Sequence, residues 1–456
     1  MRPQRDASLD AVHRRAVSGF TLYDVANSAF VTTVITAIGG PFVTSVAQAA
    51  QDAGGRVDLL GLTPRADAVY AYAISLSVVL QVVTLPVLGA LSDRARAKRA
   101  VLVAGTVVGA VATLLLAVVP SGAPLAAVGA LVVANVAFGV AITAYNAHLA
   151  DVAELPDRDA VSARGFAHGY AGGALVLAVA LALVSAASAL GISTGTAGRL
   201  AIALSGLWWL AVGLVAVRRL DAARRLPWAR PDPPGPVAQG VRDALGALRS
   251  AVVALRALPG TARFLVAFLL FNDAIQAVIA LSSVYLTQEL YVARGLAADD
   301  GTTFLLTLVL LIQVVAVGGA AGSARLSARH GARHVLLAML AVWVGVVLYA
   351  VLVLDSTLQA YGLGVVIALV LGGSQALARS LFSGMVPDGR QASFFSFYEL
   401  AERGTAWIGT LVFAVVLDLT GSYRDALLSL LVLFVSGGLL LARTDTDAAT
   451  AAAQRA

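Results

Sequence analysis

The sequence predicts an all-α membrane protein of about twelve spanning helices, arranged as two pseudo-symmetric six-helix bundles. Three observations predict it. Hydrophobic residues make up 59% of the chain and charged residues only 13%, with a mean hydropathy of +0.85; soluble domains approach a quarter charged. Apolar runs long enough to cross a hydrocarbon core of ~30 Å recur along the whole length. Finally, the two halves of the chain echo each other.

Windows of about 20 residues place the spans near 18 to 47, 67 to 91, 100 to 119, 124 to 150, 165 to 190, 199 to 217, 262 to 288, 303 to 322, 334 to 354, 360 to 382, 394 to 418 and 424 to 442. The first run is too long for the apolar core of a signal peptide and contains Asp24, so cleavage is not expected. Arg2, Arg5, Arg14 and Arg15 precede span one; Arg94, Arg96, Lys98 and Arg99 follow span two; Arg325, Arg329 and Arg333 follow span eight. The opposite loops hold only Arg56, Arg65, Arg199, Arg294 and Arg424. Positive loops stay in the cytoplasm, so both termini are expected there.

Between spans six and seven lies a polar segment with Arg224, Arg225, Arg230 and five prolines, Pro227, Pro231, Pro233, Pro234 and Pro236. It reads as a cytoplasmic linker over 218–261, with an amphipathic stretch from Val241 to Leu258 suited to lipid headgroups. The linker separates an N-terminal bundle, 1–217, from a C-terminal bundle, 262–443, and leaves 444–456 as a cytoplasmic tail. FTLYDVANSAF in span one resembles FLLFNDAIQAV in span seven, and LSDRARAKR after span two resembles LSARHGARH after span eight. Duplication of a six-span unit accounts for both matches.

Several function classes fall away on composition. The chain has no cysteine, which removes thiol chemistry and cysteine-ligated metals. Its net charge of +6 is spread over short loops between spans, as orientation requires, so nucleic acid is not an expected partner. No GxxxxGK[ST] loop is present to cradle a nucleotide phosphate, and no HExxH or GxSxG motif supports an enzyme. His330 and His334 are one turn apart but lack a third ligand nearby, so neither a metal nor any other cofactor is expected.

Spans three, six, nine and twelve are apolar all round and suit lipid. Spans one, four, seven, ten and eleven carry Asp24, Asn27, Asn135, Tyr145, Asn146, Asn272, Asp273, Gln276, Gln375, Arg379, Glu399, Glu402 and Arg403. Such groups are costly in hydrocarbon unless they face a bundle interior or a wet cavity. A charged carboxylate at mid-helix costs roughly 2.5 to 3.5 kcal/mol on insertion scales, and a proton is one partner that relieves the cost. Asp24 is expected roughly 8 to 10 Å from the cytoplasmic end of span one, with Asn27 and Ser28 on its face, and Asp273 roughly 15 Å deep in span seven, with Gln276 one turn on. Asp273, Asp24 or Glu402 would carry a coupling proton; the alternative is a permanent salt bridge or helix-cap contact in a gate. Glu399 and Arg403 are spaced to neutralise each other, as are Gln375 and Arg379 to interact. Tyr145, His148 and Asp151 form a stripe on span four, followed by His168 and Tyr170 on span five. Glycine pairs four residues apart, Gly105 with Gly109, Gly169 with Gly173 and Gly318 with Gly322, permit close helix approach.

GALSDRARAKR, Gly89 to Arg99, is similar to the loop signature of the major facilitator superfamily. YDVANSAF, YNAHLADV, SARGFAHGYAGG, FLLFNDAIQ, GGSQALARSLFSGMVP and FFSFYELAERGTAWIG resemble the motifs of its vacuole-effluxer-like branch, which contains an autophagy-related vacuolar amino-acid exporter. The resemblance covers nearly the whole chain and implies the major facilitator fold. It also implies a secondary transporter that exports an amino acid or similar small polar solute by alternating access, coupled to protons. Protons, membrane lipids and the solute are then the expected partners, and a monomer the expected state; the rival reading is a lipid-handling protein or sensor of the same fold. In this frame Asp24, Asn27, Tyr145, Asn146, Asn272, Asp273, Gln276, Gln375 and Glu402 are the candidate solute and proton pathway. Asp93, Arg94, Asp151, Arg379, Glu399 and Arg403 are the candidate gate.

Overall fold

The computed structural model describes residues 7–94, 98–153, 158–227, 246, 255–386, 398 and 407–455. Among these, eleven helices are long and apolar enough to cross a membrane. Helix α1 (Ala7–Ala29) continues through a π-helical segment (Phe30–Ile38) into α2 (Gly39–Gln48), so the first span is a single rod from Leu9 to Gln48. It starts well before the predicted residue 18, which puts Asp24 far from the first helical turn: the arginine-bearing residues ahead of the apolar run have no helix breaker and simply extend the ladder. The chain goes on through α3 (Val69–Arg94), α4 (Lys98–Ala117), α5 (Pro124–Ala147), α6 (Arg158–Ser185) and α7 (Thr194–Leu220).

After the linker come α8 (Pro259–Leu290), α9 (Thr302–His330), α10 (Ala332–Leu352), α11 (Thr357–Gly384), α12 (Ile408–Thr420), α13 (Tyr423–Ser429), α14 (Leu431–Ala442) and α15 (Thr446–Gln454). The predicted eleventh span, 394 to 418, is seen only in Tyr398 and the short apolar α12; its charged residues Glu399, Glu402 and Arg403 lie outside the described residues. Most of the amphipathic stretch expected at 241–258 lies outside them too.

Helix ends follow local chemistry. Ser193 accepts from the Thr196 amide at the start of α7, and Ser356 with Gln359 forms a capping box at the start of α11. Pro259 opens α8, where its missing N–H costs no bond, and Gly421 at φ 69° closes α12. A small hairpin between α2 and α3 is closed by isolated bridges of Arg56 with Arg65 and of Leu59 with Leu62. Its turn places Leu60 and Gly61 at positive φ, steadied by the Gly61 amide donating to Asp58 Oδ1 at 2.7 Å.

Two compact units emerge, one comprising Met1–Gly39, Val83–Pro120 and Leu125–Ala244, the other Gly40–Val82, Ser121–Pro124 and Leu245–Ala456. In the first, α1 packs on α6 and α7, and α4 packs on α7. Glycines make this possible: a Cβ at Gly172 would lie 2.6 Å from Val25, and at Gly173 2.8 Å from Thr32. Gly109 lies flat under the fully buried Trp209, whose ring meets Phe30 at 5.3 Å and Phe138 at 6.0 Å.

In the second unit, α9 packs on α11, α8 on α14 and α10 on α11. Gly40 of α2 abuts Val284 and Tyr70, and Gly437 of α14 abuts the α8 backbone at Phe271. Gly322, expected to mediate a close approach, faces open space; Gly319, one turn earlier and rotated onto the contact face, presses on the α11 backbone at Leu369 instead. Buried Trp343 stacks on Phe434 at 5.8 Å and forms the counterpart of the Trp209 core.

Candidate transport site

Span one and α8 each carry a carboxylate where an apolar helix would be cheapest. In the first unit, the Tyr145 hydroxyl donates to Asp24 Oδ2 at 2.7 Å. The phenol is held by stacking on Phe20 at 4.3 Å and Tyr23 at 5.1 Å, and Tyr23 is fixed in turn by its hydroxyl, 2.7 Å from Thr106 Oγ1. Because Thr106 donates its own proton to the Leu102 carbonyl, Tyr23 is the donor in that pair. Gly165 and Gly169 of α6 close over the carboxylate; a Cβ at Gly165 would lie 2.5 Å from Asp24 Oδ2. Asn27 lies beside Asp24 and is 4% exposed. Its Nδ2 closes no hydrogen bond among the described residues.

In the second unit, Asp273 is buried in the middle of α8. Its Oδ2 accepts from the Gly409 amide at 2.7 Å, while Oδ1 is buried with no hydrogen-bond partner among the described residues. Gly409 belongs to the first turn of α12, where backbone N–H groups lack intrahelical acceptors and the helix dipole favours negative charge. A glycine is needed there, since a Cβ would lie 2.9 Å from Ala277 Cβ and 3.4 Å from Asp273 Oδ2. The preceding Trp407 carbonyl accepts from Ser75 at 3.0 Å, which ties the start of α12 to α3. The carboxylate therefore has one oxygen anchored by backbone and one open to a proton or a cation.

The remaining predicted residues are distributed unevenly. Asn272 is buried beside Asp273; Gln276 and Gln375 are half-buried; Asn146 and Arg379 are exposed. Asp151 pairs with Lys98, Nζ to Oδ2 3.2 Å, which gives the lone lysine a structural partner in the first unit. Asp93 and Arg94 lie in the last turn of α3, with side chains outside what is described. His148 is buried, and His168, His330 and His334 are exposed. Among the described residues no cluster of three metal-ligating side chains occurs.

A polar ring in the second unit was missed by sequence reasoning. Gln48 Nε2 donates to Asp67 Oδ1 at 2.7 Å and faces Gln288 at 3.4 Å, and the Arg65 amide donates to Asp418 Oδ1 at 2.7 Å. Arg56 stands 3.6 Å from the same Asp418, and Arg424 bonds Glu289 at 2.7 Å. These residues are each unremarkable in their own loops, and only the fold brings them to one end of the bundle.

Long apolar helices that bury isolated carboxylates behind glycine seams define the class: a multi-pass membrane transporter of the major facilitator fold. The fold comparison agrees, with a bacterial homologue of the iron transporter ferroportin in its inward-facing state superimposing at a TM-score of 0.66 and 13% identity over 96% of this chain and 99% of that one. The chain belongs to the family described as vacuole effluxer Atg22 like, whose model matches residues 12–454. It is 28% identical to the uncharacterized MFS-type transporter YxiO of Bacillus subtilis, over 96% of each chain. It is also 27% identical to autophagy-related protein 22-2 of Emericella nidulans, over 60% of this chain and 49% of that one, so it spans about half the length of that relative.

Proposed function

We propose that this transporter exports a small polar solute, an amino acid or a close analogue, by alternating access coupled to protons, and that Asp273 carries the proton. The observation that carries this reading is the asymmetric Asp273 carboxylate, with one oxygen tied to the Gly409 amide and the other buried without a partner. An unpartnered buried carboxylate oxygen is expensive as an anion and much cheaper as a neutral acid, so loading and unloading a proton changes what the site tolerates. Asn272 and Gln276 on α8 and Gln375 on α11 supply amides of the kind that hold a zwitterionic solute.

In this reading the two bundles are residues 1–217 and 262–443, the linker 218–261 is cytoplasmic, and both termini face the cytoplasm, as the arginine distribution requires. Asp24, Asn27, Tyr145 and Asn146 border the pathway. Glu402 belongs to the same pathway, Asp93, Arg94, Asp151, Arg379, Glu399 and Arg403 serve the cytoplasmic gate, and the protein works as a monomer. The export direction and the solute class rest on membership in the effluxer family.

The test is counterflow in proteoliposomes with each labelled amino acid, measured with and without an imposed pH gradient. Exchange of one or more of them, with accumulation only when the gradient is present, is the expected result. Movement of labelled phospholipid with no amino-acid flux would replace this reading by lipid handling.

A further inference from the structure

Among the described residues, the middle of span one is built differently from the other spans. Over Phe30–Ile38, nine residues carry π-helical hydrogen bonding, ended by the Gly39 amide donating to the Val34 carbonyl five residues back. π-helix is uncommon beyond a single turn. The side chains register the change: Thr36 donates to the Val31 carbonyl, five residues back, at 2.9 Å. Thr32, near the start of the segment, still donates four residues back to the Ser28 carbonyl, as do Thr106, Thr113 and Thr143 in α-helices, so the change of register shows at Thr36. Thr33, inside the π segment and fully buried, finds no partner among the described residues.

Nothing in FVTTVITAI demands this geometry. The segment contains neither proline nor glycine, and β-branched residues of this kind are accommodated in α-helices. The rod is instead gripped on either side. Gly172 and Gly173 of α6 clamp it at Val25 and Thr32, and Gly40 is clamped by Val284 and Tyr70. The chain passes from the first compact unit to the second between Gly39 and Gly40. A Cβ at Gly39 would run into the Val34 carbonyl oxygen, so the π ending needs glycine at this position.

We propose that Phe30–Ile38 is a register switch, which exchanges π turns for α turns during the conformational cycle and so rotates and advances α2 relative to α1. Nine α-helical residues make about 2.5 turns, whereas the wider π turn fits about two into the same stretch. Full conversion therefore turns α2 by about half a turn, and release of a single residue by about 100°. Conversion also gives the Thr33 hydroxyl the acceptor it lacks, the Ala29 carbonyl four residues back. The switch presupposes conformational change but not any particular solute.

Because the native chain has no cysteine, spin labels at Leu22→Cys and Ser45→Cys bracket the segment without further substitution. The distance between them is read by pulsed electron paramagnetic resonance on the full chain in lipid nanodiscs, at pH 5.5 and 8.0, with and without a mixture of the twenty amino acids. Two distance populations whose ratio changes with condition are expected in the parent. Gly39→Ala should collapse them onto the longer, α-helical one and slow counterflow by at least about tenfold, since its methyl group cannot fit the π ending. Thr36→Val, which keeps shape and removes only the bond to Val31, should shift the ratio in the same direction and carries the test if Gly39→Ala fails to fold. A single distance in the parent under every condition, or variants whose distances match the parent, overturns the switch. A distance shift without amino-acid flux would leave the switch standing and count only against the solute assignment.

Discussion

Asp24 and Asp273 occupy matching helices, and their surroundings differ in kind. When FTLYDVANSAF is laid on FLLFNDAIQAV, Asp24 coincides with Asn272, and Asp273 coincides with Val25. The offset of one residue is about 100° around a helix. It turns Asp24 toward a phenol wedged between aromatic rings and covered by glycines, and it turns Asp273 toward the buried Gly409 amide in the first turn of α12. Aromatic stacking is conserved between the halves, with Phe20 on Tyr145 at 4.3 Å and Phe268 on Tyr398 at 4.2 Å, while the acid has moved. A repeat can therefore keep its packing and still give its two halves different chemistry: Asp24 is built into the wall, and Asp273 is left with an oxygen to fill.

The strongest way to break this contrast is Asp273→Asn. The amide keeps the acceptor for Gly409 but cannot cycle a proton, so gradient-driven accumulation should fall by about 100-fold or more while gradient-free counterflow persists. Proteoliposome uptake measured both ways checks it. Accumulation surviving in Asp273→Asn would remove the coupling role, whereas survival in Asp24→Asn is what the contrast requires.

Next in size is Gly165→Ala. Its methyl group would sit 2.5 Å from Asp24 Oδ2, and both helices are pinned by neighbouring glycine contacts, so it should destabilise the first unit by about 1–3 kcal/mol. Thermal unfolding in detergent reads the effect. Tyr145→Phe removes the hydroxyl that donates to Asp24 and should cost about 1–3 kcal/mol, because the half-buried carboxylate loses that bond. In Asp24→Asn the same change should cost clearly less. The double-mutant cycle isolates the charge-assisted part of the bond.

Much of the fold is legible in the chain because hydrocarbon imposes a simple rule: about twenty apolar residues make a span. The echo between the halves, the acids on spans one and seven, and the glycines at 105, 109, 169 and 173 all show at that level. Partners do not. Tyr145 and Asp24 are 121 residues apart, and the donor to Asp273 is a backbone amide, which every residue but proline possesses. The π segment is equally silent, since its residues would satisfy an α-helix and packing on either side decides between the two. Lys98 reads as a loop charge serving orientation, and its pairing with Asp151 follows only once the start of α4 is placed against the short helical turn Leu149–Val152 that follows α5.

The smallest effect is expected at Arg56 in the polar ring, and the ring separates backbone from side-chain contributions. Asp418 is held by two arginines, but in different ways: Arg65 donates its main-chain amide at 2.7 Å, while Arg56 offers only a guanidinium at 3.6 Å with 45% of its side chain exposed. An exposed pair of that length contributes about 0–1 kcal/mol and is weakened by salt. Arg56→Gln should therefore change unfolding by no more than about 0.5 kcal/mol, and the difference should vanish at roughly 1 M salt. Asp418→Asn should be tolerated nearly as well, because an amide oxygen still accepts from the Arg65 amide. Asp418→Leu leaves that N–H without an acceptor and should cost about 1–3 kcal/mol. Equal losses for the asparagine and leucine variants would mean that charge, rather than the main-chain bond, holds this end of the second unit together.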